Sequence, residues 1–381
     1  MANNKVFKVK NGLQAGRYLL SNGTETVGSE GYGLANASYD GVSFSFVAQD
    51  SAPISIFFKP DGNTLYILGY STDTVYQYSL STSWDISTAS YASKSFSVTQ
   101  DASPYQIFFK PDGTKMYMVG TTGDAVYQYS LSTAWDISTA SYDSVSFSVS
   151  AQETVPTGLS FKSDGTKMYV GGQATDAVYQ YSLSSAWDIS TASYDSVSYS
   201  YTAAETGNRN IVIVNNGNSL YTVGASTDTI YEHTLSTSWD LSTASYSGNS
   251  FSVFAQDTNP TGLFYKDDGM VLYVLGITND TVYQYSTLLY AQTLDLSTGT
   301  TFAFTPSGST TVSFTNPPAS GLACAFTVEI NGDGSTITWP ASVKWHEATA
   351  PTATATKEIY TFITTDGGTT YYGKQAATEL A

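Results

Sequence analysis

Residues 76–91 read YQYSLSTSWDISTASY, and the chain repeats that stretch. It returns as YQYSLSTAWDISTASY from Tyr127, YQYSLSSAWDISTASY from Tyr179 and YEHTLSTSWDLSTASY from Tyr231; a truncated YQYS opens at Tyr283. Trp84, Trp135, Trp187 and Trp239 mark the copies at spacings of 51 or 52 residues. A period of this size signals supersecondary units that stack or ring an axis, because one unit cannot bury its apolar face alone.

Inside a copy the pattern is short and β-rich. Residues 105–110 form an apolar run that stops at Pro111-Asp112-Gly113, where Pro presets φ and Gly accepts a positive φ. KMYMVG (115–120) and AVYQYSL (125–131) follow, and YDSVSFSV (142–149) alternates with period two. No window sustains a helical period. Four strands joined by tight turns are the grammar of a propeller blade.

The ends of the array are complementary. Residues 39–47 read as a fourth strand with no first three before it, and the fifth copy (262–286) has three strands and no fourth. The expected fold is therefore all-β: a five-bladed β-propeller closed by an N-terminal strand. Closure removes the exposed edges that an open β-solenoid would leave. The expected organisation is a segment at 1–35, the propeller at 36–287 and a β-sandwich or jelly-roll domain at 288–381. That last domain reads as several short antiparallel strands, from alternating runs at 301–305, 311–315, 325–330, 335–339 and 359–365, separated by Gly- and Pro-rich turns. Asn11-Gly12 and Asn22-Gly23 are hairpin turn signals in the first segment.

Fifteen Lys and Arg against 32 Asp and Glu give a net charge of −17. That balance argues against nucleic acid and anionic membrane surfaces, both of which need cationic clusters. Only 12% of residues are charged, so the surface must be largely Ser, Thr, Asn, Gln and Tyr. One cysteine, Cys324, excludes an intrachain disulfide framework. The first residues, MANNKVFKVKNG, have no apolar core of a secretory signal, so synthesis and folding in a cytoplasm are expected. No membrane insertion is expected.

The stretch GDGSTITWPASVKW (332–345), followed by IYTFITTDGGTTYYG (359–373), resembles the C-terminal β domain of bacteriophage fibre and other virion appendage proteins. PDGTKMYMVG (111–120) with DAVYQYSL (124–131) resembles YVTN-like propeller repeats, and NNKVFKVKNGLQAG (3–16) is similar to the start of such phage proteins. The resemblance implies a tail fibre, spike or capsid-attached fibre on the outside of a virion. The N-terminal segment would then dock on other virion proteins, host-surface polysaccharide would be the ligand, and the chain would be a homo-oligomer, in the family commonly a trimer. A capsid decoration protein without sugar binding and a glycan-degrading propeller are the alternatives.

Candidate sites were weighed against plain structural roles. The repeating Trp84, Trp135, Trp187 and Trp239 could stack on sugar rings, one site per blade, or anchor blade to blade. Asp61, Asp112, Asp164 and Asp268 in the PDG turns, and Asp73, Asp124, Asp176, Asp228 and Asp280 before the third strand, fit turn chemistry better than a calcium site, which wants six to eight oxygens. The fourth copy departs from the pattern at Asn208-Arg209-Asn210, Asn215-Asn216-Gly217 and Glu232-His233. Arg209 joins the tryptophans as a candidate glycan contact, and Glu232-His233 reads as drift. With two histidines and no HExxH, GxSxG or P-loop, no catalytic residue, metal or cofactor is expected. The five innermost strands contain no Asp or Glu, and on that ground the chain is expected not to be an enzyme.

Overall fold

The computed structural model describes Arg17–Leu19, Glu25–Val27 and residues 33–380, without positions 203, 205, 225, 268, 288–289, 307–309, 333, 335–336 and 347–348. The chain forms two compact units, Gly41–Tyr285 and Met1–Asp40 with Ser286–Ala381.

The first unit is the propeller. Blade one is Pro53–Phe58, Thr64–Gly69, Thr74–Leu80 and Ala89–Ser97, paired in that order. Blades two (104–148), three (156–200) and four (208–252) repeat it. Blade five takes Pro260–Tyr265, Val271–Gly276 and Thr281–Ser286 from one end of the array and Ser38–Ser45 from the other. The sheet closes there as in the other blades: the Phe46 N–H donates to the Asp280 carbonyl at 2.8 Å, and its counterpart Val98 donates to Asp73 at the same distance.

Each sheet packs both faces on its neighbours, so the first three strands are buried throughout rather than alternating. The outer strand alternates half-buried with exposed. A bulge interrupts it at Ser93, Ser144 and Ser196, all at positive φ, where the other two copies place Gly41 and Gly248. The PDG turn is an Asx turn: Asp112 Oδ1 accepts from the Thr114 N–H at 3.0 Å, and Lys110 pairs with the other oxygen at 2.7 Å.

The second unit holds a sandwich of a three-stranded and a five-stranded sheet. Its core gathers Leu294, Val312, Phe326, Val328, Trp339, Tyr360 and Phe362. The five runs read from sequence are strands, and Tyr290–Asp295, Val343–Trp345 and Tyr371–Leu380 add to them. The expectation of antiparallel pairing needs correction. From Tyr290 to Trp345 successive strands alternate between the two sheets, so neighbours in one sheet run parallel. Only Cys324–Asn331, Lys357–Thr364 and Tyr371–Leu380 pair antiparallel. Arg17–Leu19 and Glu25–Val27 pair antiparallel in this same unit; the Asn11-Gly12 and Asn22-Gly23 turns both lie outside the described residues.

Candidate functional site

The repeating tryptophans lie in the loop between the third and outer strands, at the end of the propeller that carries the PDG turns. Trp84, Trp135, Trp187 and Trp239 all adopt left-handed φ, between 64° and 67°. Each ring lies directly over the turn glycine, so that a Cβ at Gly62, Gly113, Gly165 or Gly217 would overlap it. Trp84, Trp135 and Trp187 also stack on Phe58, Phe109 and Phe161 at 5.4–5.7 Å. The aspartate after each tryptophan caps the one-turn helix that follows.

The same loop latches blade to blade. Tyr66, Tyr117, Tyr169 and Tyr273, on second strands, donate their hydroxyls to the carbonyls of Trp135, Trp187, Trp239 and Trp84 in the next blade, at 2.5–2.7 Å. Gln77, Gln128 and Gln180, on third strands, accept from the N–H groups of Ile137, Ile189 and Leu241. These contacts give the tryptophans the anchoring role.

Two departures of the fourth copy, Glu232 and His233, stand where the contacts of that blade are altered. Blade five has no Trp loop to receive Tyr221 or a glutamine. Glu232 stands where the other blades have that glutamine; it accepts from Tyr221 Oη at 3.2 Å and from Asn249 Nδ2 at 2.8 Å. His233 replaces the tyrosine whose hydroxyl in the other blades reaches Gln49, Gln100, Gln152 or Gln256. Here that glutamine is Ala204. Fully buried, His233 lies 3.0 Å from Tyr199 Oη and 3.2 Å from Thr222 Oγ1, and burial lowers its pKa to about 4.

The innermost strands ring the axis and close it with polar side chains. Ser55 Oγ accepts from the Ile107 N–H at 3.2 Å, and Gln106 Oε1 accepts from Leu159 at 2.7 Å. Gln106 Nε2 crosses the axis to the Ile211 carbonyl at 3.1 Å, joining blades two and four. Gly158 makes room for this, since a Cβ there would press on Ile211. Asn210 is fully buried beside it with neither amide atom paired.

One position nearer the mouth, Arg209 Nη1 meets Tyr105 Oη at 3.3 Å, again across blades two and four. Tyr105 packs edge-on against the exposed Tyr70 at 5.8 Å. Arg209 is half-buried, its Nε lacks a partner, and no described carboxylate pairs with it. The five site residues named from sequence therefore separate. The tryptophans pack at one end, and Arg209 stands at the axial mouth of the other.

Sequence reasoning missed a set of buried acids at that mouth-side end. Asp50, Asp101, Glu153 and Asp257 sit in the loops entering the inner strands of blades one, two, three and five and are at most 3% exposed. Each bolts its loop to the turn between the second and third strands; Asp101, for instance, accepts from Ser103, Thr122 and Gly123 N–H groups at 2.8–3.1 Å. The signal was present: an acid recurs at this repeat position, and a glycine (Gly69, Gly120, Gly172, Gly276) recurs where a Cβ would collide with it. Around them Asp73, Asp124, Asp228 and Asp280 are raised above the usual carboxylate range by desolvation and then by the neighbouring acids. Among the described residues no three His, Cys, Asp or Glu side chains converge as a metal ion requires.

No family model matches the chain, and no curated protein is similar to it. Solved structures are similar at the level of the propeller. One is a candidate 6-phosphogluconolactonase from Bacteroides uniformis, 14% identical, covering 53% of this chain and 55% of that one, with a TM-score of 0.38. A periplasmic gluconolactonase from Pseudomonas aeruginosa is 13% identical over 48% of this chain and 50% of that one, with a TM-score of 0.36. A luciferin-regenerating enzyme is 12% identical over 64% of this chain and 94% of that one, with a TM-score of 0.39. The chain thus spans about half the length of the first two. No activity passes to this chain at such identities. The expectation that it is not an enzyme is nonetheless corrected, because the structures it resembles are named for enzymes. The criterion behind that expectation was also too narrow: inner strands free of acid are flanked, one loop earlier, by fully buried carboxylates.

Proposed function

We propose that the axial mouth of the propeller recognises an anionic saccharide, and that the chain presents it on a bacteriophage particle. One observation carries the binding reading: in a chain with 32 acids and 15 cations, Arg209 at the mouth has no carboxylate partner among the described residues. An arginine fork offers paired donors to a carboxylate or sulfate, and the adjoining Tyr105 and Tyr70 offer ring faces and a hydroxyl. Gln106 and Ser55 close the axis beneath, so a ligand rests at the mouth and does not thread the propeller.

The particle role is supported by the resemblance of residues 332–345 and 359–373 to phage fibre domains. On this reading residues 1–35 attach to the particle, and copies associate, as trimers in the fibre pattern, so that weak single sites gain from multivalency. Host-surface polysaccharide is the expected partner.

Binding of acidic and neutral oligosaccharides to the full chain tests the site. Arg209→Ala is expected to weaken one class of acidic-ligand sites at least about tenfold and leave neutral ligands unchanged. Equal weakening of both, or none, overturns it. Antibody labelling of intact particles tests the location, and unlabelled particles whose lysate contains the chain would refute it.

A further inference from the structure

A second candidate site lies in the other unit, on the outer face of the five-stranded sheet. Lys344, Tyr372, Ile363 and Ala325 are cross-strand neighbours, one from each of four adjacent strands. Two residues along from Tyr372, and so on the same face, stands Lys374, opposite Thr361. All six are exposed, Tyr372 by 61% and Ile363 by 42%. With His346 and Trp345 they line a groove of about 580 Å³, within the range of roughly 300–1,000 Å³ typical of small-ligand sites.

The charge here is out of character for the chain. Lys59, Lys94, Lys110, Lys115, Lys162, Lys167 and Lys357 each pair with a carboxylate at 2.7–2.9 Å. Lys344 and Lys374, facing the same groove, pair with none among the described residues. Where acids outnumber cations by 32 to 15, two unpaired ammonium groups side by side leave a local positive potential.

We propose that this groove binds an anionic oligosaccharide. Lys344 and Lys374 take its carboxylate or sulfate groups, and Tyr372 gives a pyranose ring an exposed aromatic face. Thr361 lines the groove with a hydroxyl, and Thr327 stands opposite it on the neighbouring strand. Nucleic acid fits poorly, because two lysines neutralise few phosphates and the remaining charge repels the rest. An extended acidic peptide would seek a free strand edge, and this is the face of a sheet.

The test titrates the full chain carrying Arg209→Ala, which takes the axial site out of the readout, with a sulfated tetrasaccharide, a tetrauronate, an uncharged tetraglucan and an acidic peptide of equal charge, at low and moderate salt. The expected result is binding of the charged sugars alone, weakened by salt. Lys344→Ala with Lys374→Ala should weaken it about tenfold or more, paired arginines should restore it, and Tyr372→Ala should weaken it independently. These are exposed positions, and unchanged thermal unfolding confirms the fold. Arg209→Ala should leave this site untouched, which separates it from the axial one. Binding that survives the double lysine variant, tighter binding of the peptide than of the sugars, or no binding to any probe overturns the proposal.

Discussion

Gly113 shows how much of a blade hangs on one missing methyl. Its φ is +72°, and the Trp135 ring covers it so closely that a Cβ has no room. Gly113→Ala thus meets a left-handed strain and an overpacking penalty together, roughly 2–4 kcal/mol. Trp135→Ala loses a half-buried ring, about 2–3 kcal/mol. In the double variant the collision is gone, and the φ strain and the lost ring remain. Urea unfolding should therefore give a double-variant loss clearly smaller than the two single losses combined, and strict additivity would refute the packing role. His233 offers a second test of a single residue. Its pKa of about 4 lies below the ordinary value of 6.5, so as pH falls the unfolded chain takes up the proton first. The stability tied to neutral His233 is whole above about pH 6.5 and drains away toward pH 4, roughly 3 kcal/mol in all. His233→Phe should remove that slope from the stability curve whatever it does to the stability at pH 7.

At the scale of the element, the strand Ser38–Ser45 carries the closure. It supplies the outer edge of blade five and brings Asp40 to within 3.0 Å of the Ser286 N–H. Deleting residues 1–46 would leave one edge of the Thr281–Ser286 strand unpaired, and an open edge invites self-association. Light scattering should show larger assemblies for the truncated chain than for the intact one, and a peptide of residues 36–47 added in trans should restore the size of the intact chain by strand addition. A truncated chain of unchanged size would mean the ring closes without this strand. This strand and the blades were legible because the repeat prints related turn chemistry each time: an Asp-Gly or Asn-Gly pair with the glycine at positive φ, a Trp-Asp loop in four copies, a period-two outer strand. The parallel pairs of the sandwich were not legible. They arise from a chain that changes sheet at every strand, and strand order leaves no mark on local periodicity. Glu232 and His233 misled for a related reason. Each compensates for a group absent from a different copy, the missing fifth loop in one case and Ala204 in the other, and single positions do not display such pairings. Arg209 could be singled out as a break in the repeat, but only the fold sets it beside Tyr105, 104 residues away.

Across the whole propeller the two ends titrate in opposite senses. At the PDG end, desolvation pushes Asp112 and Asp164 up, but the lysine and threonine partners outweigh it and bring both down to about 2; Asp61 is lowered in the same way. At the mouth end, desolvation and neighbouring acids leave Asp73, Asp124, Asp228 and Asp280 above the ordinary carboxylate value. The signs follow from linkage. A lowered carboxyl lends stability that is whole above its unfolded pKa near 3.8 and is lost as pH falls toward 2. A raised carboxyl is protonated first in the folded state, so acidification through its range adds stability. With the His233 contribution removed by His233→Phe, unfolding free energy should therefore hold or rise between pH 6 and 4 and fall steeply below about 3. Sodium chloride should stabilise the fold at pH 7 and do so less at pH 4, because screening acts on a repulsion that protonation has already relieved. Carboxyl carbon resonances followed by NMR decide the matter residue by residue: Asp112 and Asp164 must titrate below Asp124 and Asp280. The reverse order would mean that the lysines at one end and the crowded acids at the other do not set the charge balance of this ring.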